Sequence, residues 1–172
     1  LKNAHQLAIR SLFAYIGNIA IISYQPQLAY CFTKSLSLAD RIEIEQSELG
    51  VNSAAVGSAL AALWQLPQPL ISGIKNHLLP LSPPPHGLSK EALYDSILCY
   101  CCCYIAEESL NKSIHDISDI NLLDSGQKEL TYLAEYINTC GLKGFLFLQR
   151  KPAFRNEAKK LIEKIGSAPG TA

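Results

Sequence analysis

The 172-residue sequence contains no Met, a single Trp and only 17% charged residues, with Lys+Arg and Asp+Glu balanced at 15 each. That balance leaves no overall field to draw the chain toward nucleic acid or anionic lipid, so charge alone names no partner. Also missing are the P-loop, G-x-G-x-x-G, G-x-S-x-G and H-E-x-x-H signatures, and with them the readiest routes to phosphate cradling, serine hydrolysis and zinc proteolysis. No signal peptide is visible, because Leu1 to Arg10 is polar. The six Cys, three of them adjacent (Cys101, Cys102, Cys103), lack the spacing of a secreted disulfide framework, and a cytoplasmic location is expected. The absence of Met, initiator included, predicts a trimmed chain whose true N-terminus lies upstream. Scarce charge leaves two long uncharged runs, Ser11 to Thr33 and Val51 to Ile74. Pro26 among Asn18, Gln25 and Gln27 interrupts the first, and Pro67 and Pro69 among Asn52, Gln65 and Gln68 the second. Both read as helix junctions rather than bilayer crossings, and no membrane partner is expected.

What is present is ample apolar material, 48% of the chain, enough for a sizeable core in one domain or slightly more. Few runs alternate with period two, whereas several repeat apolar residues at three and four, so the fold class expected is all-α with strands as local exceptions. Leu7, Ala8, Leu12, Ile16, Ile19 and Ala20 form one face from Ala4 to about Ile22, and Pro26 stands where that helix has ended. A short amphipathic helix on Leu28, Ala29, Phe32 and Leu36 follows. The next, Ser37 to Leu49, keeps Leu38, Ile42 and Leu49 inside and Asp40, Glu43, Glu45 and Glu48 outside, and stops at Gly50. Asn52 or Ser53 caps a helix whose inner stripe reads Val56, Ala59, Leu60, Leu63 and Trp64, while Ala55, Gly57, Ser58, Ala61 and Ala62 let a neighbouring backbone approach. Leu66-Pro67 separates it from a helix carrying Leu70, Ile71, Ile74, His77 and Leu78, which Pro80 stops.

Ser82 to Gly87 holds three successive prolines and reads as a surface loop, with Ser89 capping a helix that runs to about Leu110. Between Ser96 and Ala106 that helix is apolar nearly all round and has to be covered on several sides, by this chain, by upstream helices or by a second subunit. Ile114 to Asp124 predicts a turn of helix plus loop. Leu130, Leu133, Ala134 and Ile137 predict a helix ending at Gly141, and Phe145 to Leu148 a short strand or extended arm. Pro152 opens a final amphipathic helix that Gly166 closes, and the small-residue tail is expected to be disordered.

Taken together, Ser11-Leu-Phe-Ala-Tyr-Ile-Gly17, Glu45 through Gly57, and the run from Leu63 to Pro80 resemble the bacterial HDOD family, a helical relative of the HD-type metal phosphohydrolases. The most specific part is the Trp-x-Leu-Pro, Ile and His-x-x-Pro spacing after the Gly50/Gly57 pair. The resemblance covers roughly Leu7 to Leu110, the later half of such a domain. It implies an HD-like helical bundle incomplete at its N-terminus, with an HDOD-like part over 1–141 and, over 142–172, an extension holding a basic amphipathic helix and the tail.

HD-type hydrolysis needs imidazoles and a carboxylate converging on divalent cations that activate water. Where the resemblance would place adjacent His-Asp before Ile-Gly, this chain has Ala14-Tyr15; where HDOD sequences often read Gly-Val-Asp-His, it has Gly50-Val51-Asn52-Ser53; and the later His-His pair appears as His77-Leu78. A divalent site takes three or more protein ligands with supporting partners, so His77 alone cannot hold one. No catalytic residue, metal ligand or cofactor is therefore expected. Tyr15, Ser53 and His77 are left as candidate ligand-binding residues of the degenerate cleft, which Ala14 and Leu78 make more apolar. The plainer reading of His77 is an imidazole on the inner helix face, hydrogen-bonded to a backbone carbonyl or to Tyr15. Glu43 and Glu45 could reach toward the same region, but read first as solvated helix-face carboxylates.

Cys99, Cys102 and Cys103 share a helix face, yet with no His nearby they read as small buried hydrophobes. Lys143, Arg150, Lys151, Arg155, Lys159, Lys160 and Lys164 against Glu157 and Glu163 form a local basic bias that reads as a solvated face; nucleic acid is not an expected partner. His5, His86 and His115 are isolated. The resemblance implies a non-catalytic bacterial signal-transduction module acting through contacts with receiver, GGDEF, EAL or kinase-type domains, with a small ligand in the cleft as an option and a homodimer drawn from the apolar Ser96 to Ala106 helix. The competing expectation is a residual metal-dependent phosphohydrolase acting on nucleotides or cyclic dinucleotides.

Overall fold

Helix ends in this protein follow local side-chain chemistry, and the computed structural model describes residues 4–33, 36–85, 90–111, 114 and 116–166. Two near-continuous helices, α1 (Ala4–Ala14) and α2 (Ile16–Tyr24), are broken at Tyr15. A 3-10 turn opened by Pro26 (Pro26–Ala29) leads into α3 (Tyr30–Thr33). In α4 (Leu38–Leu49), Ser37 Oγ accepts the Asp40 N–H at one end, and Gly50, at φ 70°, takes the left-handed turn at the other. Asn52 Oδ1 accepts the Ala55 N–H at 3.0 Å and starts α5 (Ser53–Leu63). Pro67 precedes α6 (Gln68–Asn76), and a 3-10 turn (Leu79–Leu81) follows. After α7 (Lys90–Asn111) come 3-10 turns at Ile117–Asp119 and Lys128–Leu130, then α8 (Leu133–Cys140), α9 (Lys143–Gln149) and α10 (Pro152–Gly166). The architecture is all-α, with no strand among the described residues. The expected Ser89 cap, His86, His115 and the tail beyond Gly166 lie outside the described residues.

The 22-residue α7, about 33 Å long, is the axis of the fold. Ile97, Tyr100 and Cys101 are fully buried, packed with Leu38 and Ile42 of α4 and Leu133, Tyr136 and Ile137 of α8. Each such side chain contributes roughly 1.5–3 kcal/mol of burial. The polar tips are satisfied: Tyr100 Oη donates to Glu129 O at 2.7 Å and Tyr136 Oη to Leu79 O at 3.1 Å. Arg10 of α1 pairs with Asp95 of α7. Helices α1, α6, α8 and α10 of this same chain pack along the apolar Ser96 to Ala106 segment, leaving Cys102 and Ile105 half-buried and Ala106 exposed.

On the other side, α2 meets α5 backbone to backbone at Gly17 and Ser53, with the Ile16 side chain packed alongside. A Cβ on Gly17 would stand 1.8 Å from Ser53 O, so only glycine fits there, while one on Gly57 would make a tight contact of 3.1 Å with Gly17 N. The contact also decides which way α5 faces. Ser53, Ala54, Gly57 and Ala61 turn inward, while Leu63 and Trp64 are 74% and 52% exposed. This corrects the expected inner stripe: a backbone-to-backbone approach has no room for Trp64, which sits in the turn after the helix. Leu7–Tyr24 is one stretch long and apolar enough, at mean hydropathy 1.4, to cross a membrane by length and composition.

The short strand or extended arm expected at Phe145 to Leu148 is instead part of α9. Its apolar run is too short for period to separate strand from helix, and it is anchored by Gln149, whose Nε2 donates to Ile117 O and, at 2.7 Å, to Ile120 O. Leu142 is buried, and Arg155 of α10 pairs with Asp116.

Candidate functional site

The three candidate residues Tyr15, Ser53 and His77, far apart in sequence, line one cleft together with Ala14, Leu38, Arg41, Leu78, and Tyr100, Cys103 and Glu107 of α7. The cleft has about 10 Å³ of free volume, room for no more than one water. It is filled by the protein's own polar groups. Glu107 Oε1 accepts from Tyr15 Oη and from Arg41 Nη2, both at 3.0 Å. The Arg41 guanidinium also lies 4.8 Å above the Phe32 ring. Arg41 and Glu107 are 9% and 18% exposed at their side chains, so each charge depends on the other for what it has lost in water. Burial, reinforced by Cys103 and Glu107, pushes the Tyr15 phenol well above its ordinary range and keeps it a donor.

His77 Nδ1 is 2.7 Å from Ile74 O. A carbonyl can only accept, so Nδ1 carries the proton and Nε2 is bare in the neutral ring. Burial holds the imidazole pKa below its usual value, which keeps that neutral form. The plainer expectation for His77, a backbone carbonyl partner, is what the structure shows.

Ser53 enters through its backbone. Its N–H, at the start of α5, donates to Glu45 Oε2 at 2.6 Å, placing a carboxylate where the helix dipole favours one. Glu45 is 1% exposed, its Oε1 has no partner, and burial raises its pKa. The expectation of a solvated Glu45 is therefore corrected, while Glu43 is exposed and pairs with Lys128 at 2.6 Å.

This donor set does not fit a divalent metal. His77 could offer only Nε2, Arg41 brings a fixed positive charge into the cleft, and among the described residues no three His, Cys, Asp or Glu side chains converge. Cys103 contributes a packed thiol, with Ala14 and Cys99 behind it and Ser11 Oγ donating to Cys99 Sγ at 3.6 Å.

Residues 1–80 match the HDOD domain family. No curated protein and no solved structure matches the chain. The HDOD segment supplies Tyr15, Arg41, Ser53 and His77, whereas Glu107, the acceptor that joins Tyr15 to Arg41, comes from α7 beyond the matched residues.

Sequence reasoning singled out Tyr15, Ser53 and His77 and passed over Arg41, Glu45 and Glu107, of which only Glu45 was weighed for this region. The first two had a signal: Leu38, Arg41, Ile42 and Glu45 fall at i, i+3, i+4 and i+7, the inner stripe of α4. On α7, Tyr100, Cys103 and Glu107 repeat that spacing. The basic bias of the C-terminal region is partly matched within the chain, with Arg155 on Asp116, Lys160 on Glu157 at 2.7 Å and Lys159 on Glu163 at 3.9 Å.

Proposed function

We propose that the chain is a non-catalytic signal-transduction module whose HDOD segment works through protein–protein contacts. One observation carries this reading: the cleft that HD-type chemistry would use is filled by the Tyr15–Glu107–Arg41 cluster, down to about 10 Å³. A guanidinium is a fixed cation that neither activates water nor leaves, so the cluster performs the cohesive part of a metal's role and none of its chemistry. The contact half of the proposal draws on exposure. Ile9, Leu12, Ile19, Leu63 and Trp64, all within the HDOD segment, are between 48% and 74% exposed. Large apolar side chains held in water are the raw material of protein interfaces.

The test has two arms. Purified protein equilibrated with manganese, iron or zinc is assayed for bound metal and for phosphate release from nucleotides and cyclic dinucleotides; neither is expected. Immobilised protein is then titrated with purified receiver, GGDEF, EAL and kinase domains. Saturable binding to at least one, lost in the Leu63→Ser, Trp64→Ser double variant without loss of helical signal, is the expected result. Stoichiometric metal together with phosphate release would overturn the proposal.

A further inference from the structure

A neighbouring face of α7 looks onto a second space. Cys102 and Ser109 of this face, Ile117 of the following turn, Phe145 of α9, and Phe154 and Ala158 of α10 are among the residues around a cavity of about 290 Å³. No charged group lines it, and apart from the Cys102 thiol and the Ser109 hydroxyl the side chains are hydrocarbon. Ser109 lines the cavity, but its Oγ is occluded and has no hydrogen-bond partner, so the hydroxyl meets the cavity only on rotation about χ1. A buried hydroxyl left unpaired is unfavourable, and an apolar wall gives water too few partners to repair it. Phe154 and Leu161, 43% and 61% exposed, form an accessible rim.

We propose that this cavity binds a neutral, largely apolar small molecule bearing one hydrogen-bonding oxygen, with Ser109 turning its hydroxyl about χ1 to engage it. Size follows from volume: a dry cavity of about 150 Å³ holds benzene, so this one takes on the order of a dozen non-hydrogen atoms. Charge follows from the lining. A carboxylate, phosphate or ammonium would enter without a counter-charge, and desolvation would exclude it. The site is separate from the closed cleft, since α7 turns Cys103 and Glu107 to the cleft and Cys102 and Ser109 to the cavity. It stands whether or not the signalling role does.

Two probes differing by one hydroxyl test it: 2-naphthol, followed by its fluorescence, and naphthalene. The wild-type protein is expected to bind both saturably at one site per chain, 2-naphthol more tightly. Ser109→Ala is expected to weaken 2-naphthol about fivefold to tenfold, the worth of one hydrogen bond, and to leave naphthalene within about twofold. Without probe, Ser109→Ala should melt no lower than wild type, because its hydroxyl has no partner to lose. Ala158→Trp fills the space and should abolish both; Ala106→Leu, from the α7 wall, serves if that variant does not fold. No saturable binding of either probe would overturn the proposal, as would an equal loss of both in Ser109→Ala or a fall in its melting temperature. A concentration-dependent dimer that Ala158→Trp abolishes, with neither probe bound, would overturn it in favour of a second copy of the chain.

Discussion

On one face of α7, Cys103 and Glu107 look into a cleft of about 10 Å³ that Tyr15 and Arg41 have filled; on a neighbouring face, Cys102 and Ser109 look into a cavity of about 290 Å³ bounded almost wholly by carbon. The difference follows from what each wall costs when left alone. An unpaired charge or phenol inside a protein is expensive, so the polar side closes until Glu107 holds both Tyr15 and Arg41. An apolar wall facing empty space forfeits only dispersion contacts, a gentler cost that a fold can carry. Eight of the eleven residues around the closed side fall in the HDOD segment, and the open side is built entirely from residues after it.

The largest effect should come from breaking the closed side. Arg41→Met leaves the largely buried Glu107 charge with only the Tyr15 hydroxyl and no counter-charge, and is expected to cost about 3–5 kcal/mol in urea unfolding. Adding Glu107→Leu should recover part of that loss, because no unpaired charge then remains; a double variant no more stable than Arg41→Met would show that the pair does not hold the cleft. Next in size is a matched pair of insertions. Ala14→Leu, at a position 2% exposed beside the filled cleft, overpacks it and should lose about 2 kcal/mol, while Ala158→Leu at the open cavity should gain about 0.5–1 kcal/mol. Thermal melts giving both the same sign would erase the contrast between the two sides.

A smaller effect is expected from pH. Burial sets the folded-state pKa of His77 below the unfolded value of about 6.5, so the unfolded chain takes up the proton first. Its contribution to stability is complete above about pH 6.5 and is lost as pH falls through the folded value. Melting temperatures from pH 7.5 to 5.0 should drop more steeply for wild type than for His77→Gln. Glu45, raised by burial, acts with the opposite sign, favouring the fold toward acid, and its share cancels in that comparison at each pH. Least of all is Trp64→Ala: with half its surface in water, the change should cost about 0.5 kcal/mol, and a loss near 3 kcal/mol would return the indole to the core.

Legibility in the sequence tracked the range of the interaction responsible. The helix ends at Gly50, Asn52, Pro67, Gly141 and Pro152 depend on a few consecutive residues, and each could be read directly. The α9 helix could not, since Phe145 to Leu148 is too short for periodicity and its anchor, Gln149, reaches back across about thirty residues. Tyr15, Ser53 and His77 came together as the HDOD resemblance implied. Arg41 and Glu107 did not show, because their pairing spans 66 residues and a charge on a helix is first assumed to face water. Trp64 misled for a steric reason, the Gly17–Gly57 crossing having turned α5 by its small face. The open cavity left no trace at all: Ser109, Phe145 and Ala158 sit on separate helices, and a void has no sequence pattern.

The bare crossing of α2 and α5 has a mechanical corollary. Helices that meet through side chains can shear by swapping rotamers, but here main chain rests on main chain at Gly17 and Ser53, where no side chain can yield. The two helices therefore travel as one stiff plank, and the Glu45 carboxylate strapped to the Ser53 amide must ride with it.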